Sequence, residues 1–349
     1  MCCGLRKFGQ ILQVAFTYVG TIVGAGFASG QEILQFFTRY GWPAAFSIAL
    51  AAFLFIWLGT KLMLLARDTG AGSHEELNRY LLGPRFGRVF SLFQLAVLLG
   101  TSTVMIAGAG SLFQEQLGFH YQTGLLLTLF LGYGVLRKGM SGIVRVNTIV
   151  VPFMLLYVVL VFLGTQRLST AGNWLVLPNE YPLLKTALAP LLYAAFNLAT
   201  AQAVLVPLGA AFPDRKVLAR GGVLGGLLVG LMLLAGHIAL AARMPEIRQY
   251  EIPMAQLISQ FGPLVQLIYT LVIFGEIFTT FVAGVFGLTL QLQQHLRLRE
   301  PLLLLVLLAV CYAGAQFGFS SLLSLLYPLF GALSLGWIGL LMRRGSIPI

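Results

Sequence analysis

The stretch Gly20-Thr-Ile-Val-Gly-Ala-Gly-Phe-Ala-Ser-Gly-Gln-Glu32 lies inside the first long apolar run of the chain and limits how that run can fold. In lipid a helix must satisfy its own backbone, so glycines weaken it and polar side chains need partners. Gly20, Gly24, Gly26 and Gly30, followed at once by Gln31 and Glu32, put both costs into one span. Two arrangements answer them. One is a discontinuous helix whose loosened backbone lines a binding cavity. The other is a Gly-x-x-x-Gly packing face, Gly20 to Gly24, with Gln31 and Glu32 at the membrane interface.

The remaining sequence sets the context. Of 349 residues 58% are hydrophobic and 9% charged, against about 25% charged in a soluble domain. This composition describes an all-α integral membrane protein. The net charge of +11 sits in short loops between apolar runs, which is the topogenic pattern and argues against nucleic acid as a partner. Cys2, Cys3 and Cys311 show neither metal-site spacing nor a disulfide framework. The first apolar run is too long for a cleavable signal peptide and lacks a small-residue cleavage site.

A span takes about 20 mostly apolar residues. Runs bounded by charge, Pro or Gly clusters predict ten: 8–38, 43–66, 86–115, 121–137, 143–165, 183–212, 218–242, 261–293, 301–318 and 320–342. The charged stretches 67–85 and 243–260 predict short interfacial helices, and a tight turn must join the last two spans. With the N-terminus inside, only Arg39, Arg167, Lys185, Arg243 and Arg248 of the 22 Lys and Arg fall outside. The positive-inside rule then predicts a multi-pass protein of the plasma (inner) membrane with both termini cytoplasmic.

Two halves of five spans each predict a second interrupted helix at span six. Phe27-Ala-Ser-Gly-Gln-Glu-Ile33 aligns with Leu198-Ala-Thr-Ala-Gln-Ala-Val204, Glu32 against Ala203 being the mismatch in kind. Because five is odd, the second copy runs in the opposite sense: an inverted repeat, 8–165 and 183–342, within a single domain of 1–349. Pro190, Asn197, Thr200, Gln202 and Pro207 in span six fit a break, since proline removes a backbone donor. A kinked helix with polar side chains bonding its neighbours fits them as well.

With Gly24-Ala-Gly26, ten spans and a five-plus-five repeat, the chain resembles the amino acid–polyamine–organocation superfamily, which has the LeuT-type fold. The run Gly24-Ala-Gly-Phe-Ala-Ser-Gly-Gln-Glu32 is more narrowly similar to the YkvI-like membrane proteins of bacteria. The resemblance implies that helices 1 and 6 are discontinuous and that substrate sits between the two breaks. Amides around Gly24, Ala25, Gly26 and Phe27 would receive an anionic group, and free carbonyls near Phe196, Asn197 and Thr200 an ammonium. A small zwitterionic or amine-bearing molecule fits both ends.

The resemblance also implies a Na+ site that joins span-one carbonyls, here Gly20 and Val23, to span eight. There Glu276, Thr279 and Thr280 share one helical face. Glu276 stands where simple sodium sites carry a small residue, so it either coordinates Na+ or binds H+ in its place. Glu32 and Gln202 are further gate or proton candidates, and His74, His120 and His295 read as solvated loop residues. His237 alone makes no metal site, and no nucleophile–base pair suggests an enzyme. The expected function is Na+- or H+-coupled symport of a small amino acid or related amine. The alternatives are a non-transporting metabolite receptor of the same fold, like germinant-receptor subunits, and a channel.

Overall fold

The computed structural model describes residues 2–250, 253–258, 262–293, 296, 299–318, 330 and 333–342; residues 2–6, 25, 115 and 255 are described by their backbone alone. Every regular element among the described residues is helical. The first apolar run gives α1 (Cys2–Ile22), α2 (Ala25–Ala28) and α3 (Gln31–Phe36). Next, α4 (Ala44–Leu54) passes through a π turn (Phe55–Gly59) into α5 (Thr60–Thr69). After it come α6 (His74–Leu82), α7 (Pro84–Leu117), α8 (Tyr121–Leu136), α9 (Gly139–Thr165), α10 (Leu183–Ala211) and α11 (Arg215–Ala241). The last are α12 (Pro253–Ile258), α13 (Pro263–Gln293), α14 (Glu300–Ala315) and α15 (Leu333–Met342).

Among the described residues six helices are long and apolar enough to cross a membrane: Ala44–Thr69, Pro84–Gln114, Gly139–Thr165, Leu183–Ala211, Arg215–Ala241 and Pro263–Gln293. Each coincides with an expected span. Helices α8, α14 and α15 are shorter apolar elements. The start of the expected tenth span and the turn at residue 319 lie outside the described residues. The charged stretches hold α6 and α12, as expected. Ser73 caps α6, accepting a hydrogen bond from the Glu76 amide, with Glu75 and Glu76 in its first turn.

Burial identifies the axis of the bundle. The most apolar stretch of α10 is 83% buried and that of α13 78%, whereas that of α9 is only 28% buried and turns Phe153, Leu156 and Leu160 outward. Helix α11 packs closely on the first half through small residues. A Cβ at Gly226 would fall 2.7 Å from the Ile56 amide nitrogen, so only glycine lets these backbones meet. The π turn has a partner of its own: the Tyr18 hydroxyl donates to the Phe55 carbonyl at 2.7 Å. Gly59 leaves the space for that ring, because a Cβ there would collide with the same hydroxyl.

One expectation is overturned. Helix α10 is continuous from Leu183 to Ala211, with Pro190 and Pro207 inside it. The reason is local satisfaction of its polar groups. Pro190 deprives the Thr186 carbonyl of its helical donor, and the Ser47 hydroxyl from α4 approaches that oxygen at 3.4 Å. Asn197 donates back to the Tyr193 carbonyl at 3.0 Å, and the Thr200 hydroxyl to the Phe196 and Asn197 carbonyls at 3.1 and 3.0 Å. The carbonyls expected to be free are therefore bonded within the helix.

Candidate functional site

The first run does break, and it breaks twice. The Val23 amide still bonds the Val19 carbonyl at 2.9 Å, but Val23 and Gly24 leave the helix and α2 begins with Ala28 bonded to Gly24 at 2.9 Å. The second interruption falls at Gly30, whose φ of 87° lies in the left-handed region that favours glycine. The Ser29 carbonyl accepts a hydrogen bond from the Met254 amide of α12 at 2.9 Å. The first break meets α13: the Thr280 hydroxyl donates to the Val23 carbonyl at 3.3 Å. A Cβ at Gly24 would lie 3.1 Å from the same hydroxyl oxygen.

Beside this break lies a cavity of about 50 Å³, room for roughly three water molecules. Thr21, Ile22, Gly24 and Glu32 line it from the first run, and Phe196, Asn197 and Thr200 from α10. Helix α13 contributes Thr280, Ala283 and Gly284, and α7 contributes Leu98, Thr101 and Met105. Gly24, Glu32, Phe196, Asn197, Thr200 and Thr280, which the sequence marks separately, thus share one chamber. The α7 wall escapes sequence reading because that helix is apolar on every side, so periodicity marks no face. Its one available signal is the spacing of Leu98, Thr101 and Met105, and the adjacent hydroxyls of Ser102 and Thr103 obscure it.

Other expected site residues fall elsewhere. Gly26 does not line the chamber; a Cβ on it would sit 2.4 Å from Glu32 Oε1. The Glu32 carboxylate thus covers the backbone expected to receive an anionic group. Phe27 lines a separate apolar cavity with Tyr157, Tyr269 and Met254, because α2 turns that side chain away from α10. The Ala25 side chain is outside the described set. Gln202 does not line the chamber either: buried at 1% exposure, its amide donates to the Ala199 carbonyl at 2.9 Å.

The α13 face behaves differently. Glu276 has no solvent exposure, and neither of its carboxylate oxygens has a hydrogen-bond partner. A bare carboxylate so placed is costly. The Thr279 hydroxyl donates to the Glu276 carbonyl at 3.0 Å. At Gly20 the nearest neighbour is the Asn147 side chain, whose Oδ1 is buried without a partner. Sequence reading misses Asn147, a single polar residue in an apolar span.

On its other flank the chamber borders a buried polar chain. Gln94 donates to the Ala199 carbonyl at 2.8 Å and accepts from Asn78 at 2.8 Å, and Asn78 accepts from Trp337 at 2.9 Å. Nearby, His74 pairs with Gln291, which donates to the Ser91 carbonyl at 2.9 Å. His74 is therefore buried rather than solvated, since folding carries α6 under α13, and burial pushes its pKa down to about 4. His120 is exposed as expected, and His295 lies outside the described residues. His237 bonds Thr38 at 3.1 Å.

Solved structures of like shape show the fold. The chain matches a crystal structure of an Eremococcus coleocola manganese transporter mutant with a TM-score of 0.68, covering 96% of this chain and 79% of that one at 14% identity. It matches a substrate-bound Na+-coupled sialic acid symporter with a TM-score of 0.65, covering 94% and 76% at 13% identity. The fold is thus LeuT-like, the one these two transporters have.

Sequence relatives narrow this further. The membrane protein YkvI of Bacillus subtilis (strain 168) is 40% identical over 339 residues, 96% of each chain. The chain belongs to the YkvI family of membrane proteins, and its likeness to the wider superfamily is one of fold. The sodium/pantothenate symporter of Escherichia coli (strain K12) is 28% identical over 264 residues, 68% of this chain and 52% of that one. No family profile matches the chain.

Proposed function

We propose that the protein is a secondary transporter, a Na+- or H+-coupled symporter of a small amine-bearing solute that works by alternating access. In this reading ten spans form two inverted halves of five, 8–165 and 183–342, in the plasma membrane with both termini cytoplasmic. The solute occupies the chamber between Gly24, Glu32, Phe196, Asn197 and Thr200. The coupling cation takes the Gly20 and Val23 carbonyls, the Thr279 and Thr280 hydroxyls and Glu276, a hard-oxygen set suited to Na+.

The observation that carries this reading is the α13 face. A fully buried carboxylate with no partner, Glu276, lies one turn from a hydroxyl that bridges to the broken helix at Val23. A scaffold without an ionic cycle has no use for that charge. The likeness to a sodium/pantothenate symporter and to a Na+-coupled sialic acid symporter supports the same reading. A receptor without flux gains no support from these relatives.

Purified full chain in liposomes provides the test. Labelled amines and amino acids should accumulate saturably under an inward Na+ or H+ gradient and fail to accumulate without one. Ligand binding with no net flux would make the protein a receptor, and unsaturable conductance would make it a channel. Either result ends the proposal.

A further inference from the structure

The chamber is built almost wholly of hydrogen-bond acceptors. Four threonines line it, and each spends its hydroxyl proton on a backbone carbonyl: Thr21 on Thr17 at 2.6 Å, Thr101 on Val97 at 2.9 Å, Thr200 on Phe196 at 3.1 Å and Thr280 on Val23 at 3.3 Å. What they turn inward is lone pairs. The Asn197 amide commits one of its two N–H groups to the Tyr193 carbonyl, at 3.0 Å.

A second observation is independent of those bonds. Among the described residues that line the chamber, Glu32 is the one ionisable group, with no Lys, Arg or His beside it. It is 8% exposed and its Oε2 has no hydrogen-bond partner. Its Oε1 occupies the backbone niche over Gly26, which exists because residue 26 has no side chain. The site therefore already holds a carboxyl group of the protein's own.

We infer that the guest is an organic ammonium without a free carboxylate, its N–H groups donating to Glu32 Oε2 and the threonine oxygens and its charge lying near the Phe196 ring. The inference rests on the transporter reading above and narrows its substrate class. A carboxylate accepts hydrogen bonds and carries negative charge; here it would meet four threonine hydroxyls whose protons are already committed, and a second carboxyl group, in a poorly solvated space. An ammonium has three donors and no acceptor, and an aromatic face stabilises it further. A metal ion is the poorer match, since no group of three His, Cys, Asp or Glu assembles among the described residues.

Matched pairs test this: ethylamine against alanine, ethanolamine against serine and cadaverine against lysine. Each is titrated into the purified full chain with melting as the readout, with and without Na+. The amines should bind at least tenfold more tightly than the parent amino acids. Glu32→Gln should weaken amine binding at least tenfold and leave the Na+ response in place. Should that variant fail to fold, the wild-type pairs decide alone.

Amino acids binding as tightly as their amines would overturn the inference and leave a transporter standing. So would MnCl2 outcompeting every amine, or an unchanged amine affinity in the folded Glu32→Gln variant. If the amines bind as expected yet liposomes carry no solute under either gradient, the transporter reading falls while the chemistry of the chamber holds.

Discussion

Between Cys2 and Phe36 the chain makes three helices; between Leu183 and Ala211, over a stretch that contains Pro190, Asn197, Thr200, Gln202 and Pro207, it makes one. Glycine and proline disturb a helix in different ways. Glycine leaves backbone bare and offers no atom to fill the gap, so another group must come to it: Thr280 at Gly24, Glu32 at Gly26, Met254 at Gly30. Proline removes a single donor and leaves the rest of the ladder in place. A hydroxyl from a neighbouring helix then suffices, as Ser47 shows at Thr186. The broken run makes a place for foreign atoms, while α10 serves it as a stiff wall.

The strongest test of that contrast is Gly26→Leu. Any side chain there must displace the Glu32 carboxylate, since a Cβ would sit 2.4 Å from its Oε1. Uptake should vanish, and stability should fall by about 1–3 kcal/mol, as in other overpacked sites. Uptake at the wild-type rate would mean the niche over residue 26 has no role.

Glu276→Gln comes next. It removes a buried charge that has no partner, so the melting temperature should hold or rise while uptake loses its response to Na+ or pH. A variant that retains both responses would place the coupling ion elsewhere.

A third effect concerns the buried polar chain that braces α10 on its far side. Burial holds His74 at a pKa of about 4, below its usual 6.5. The unfolded chain therefore binds a proton below pH 6.5 that the folded chain resists until near 4. The stability present above pH 6.5 should decline by roughly 3 kcal/mol as pH falls through that window. Melting curves of wild type and His74→Gln across that range check this, and the variant should have the flatter profile.

The smallest change is Ser47→Ala. It strips the Thr186 carbonyl of a long hydrogen bond, 3.4 Å, and should cost within about 1 kcal/mol in a thermal melt. A larger loss, or an opened α10, would show that the wall depends on that single hydroxyl.

Much of this architecture was legible in the residues. Long apolar runs fix helices because lipid leaves the backbone no alternative, and the glycine cluster marked the break correctly. The break in span six was misread because Pro, Asn and Thr look disruptive one at a time, and only neighbours reveal that they are satisfied. The chamber was half legible. Gly24, Glu32, Asn197 and Thr280 stand out as polar or small residues in apolar surroundings, whereas Leu98 and Met105 cannot be told from lipid-facing residues without coordinates. His74 was hidden for a related reason: charged neighbours in sequence say nothing of the helix that folds over it.

The hydrogen bond from the Met254 amide to the Ser29 carbonyl ties the largely buried α12 to the second break of the first run. Lifting α12 releases the Ser29 oxygen, and rearranging the hinge pulls on α12. In the proposed alternating-access cycle, hinge and α12 can therefore separate only by breaking that bond.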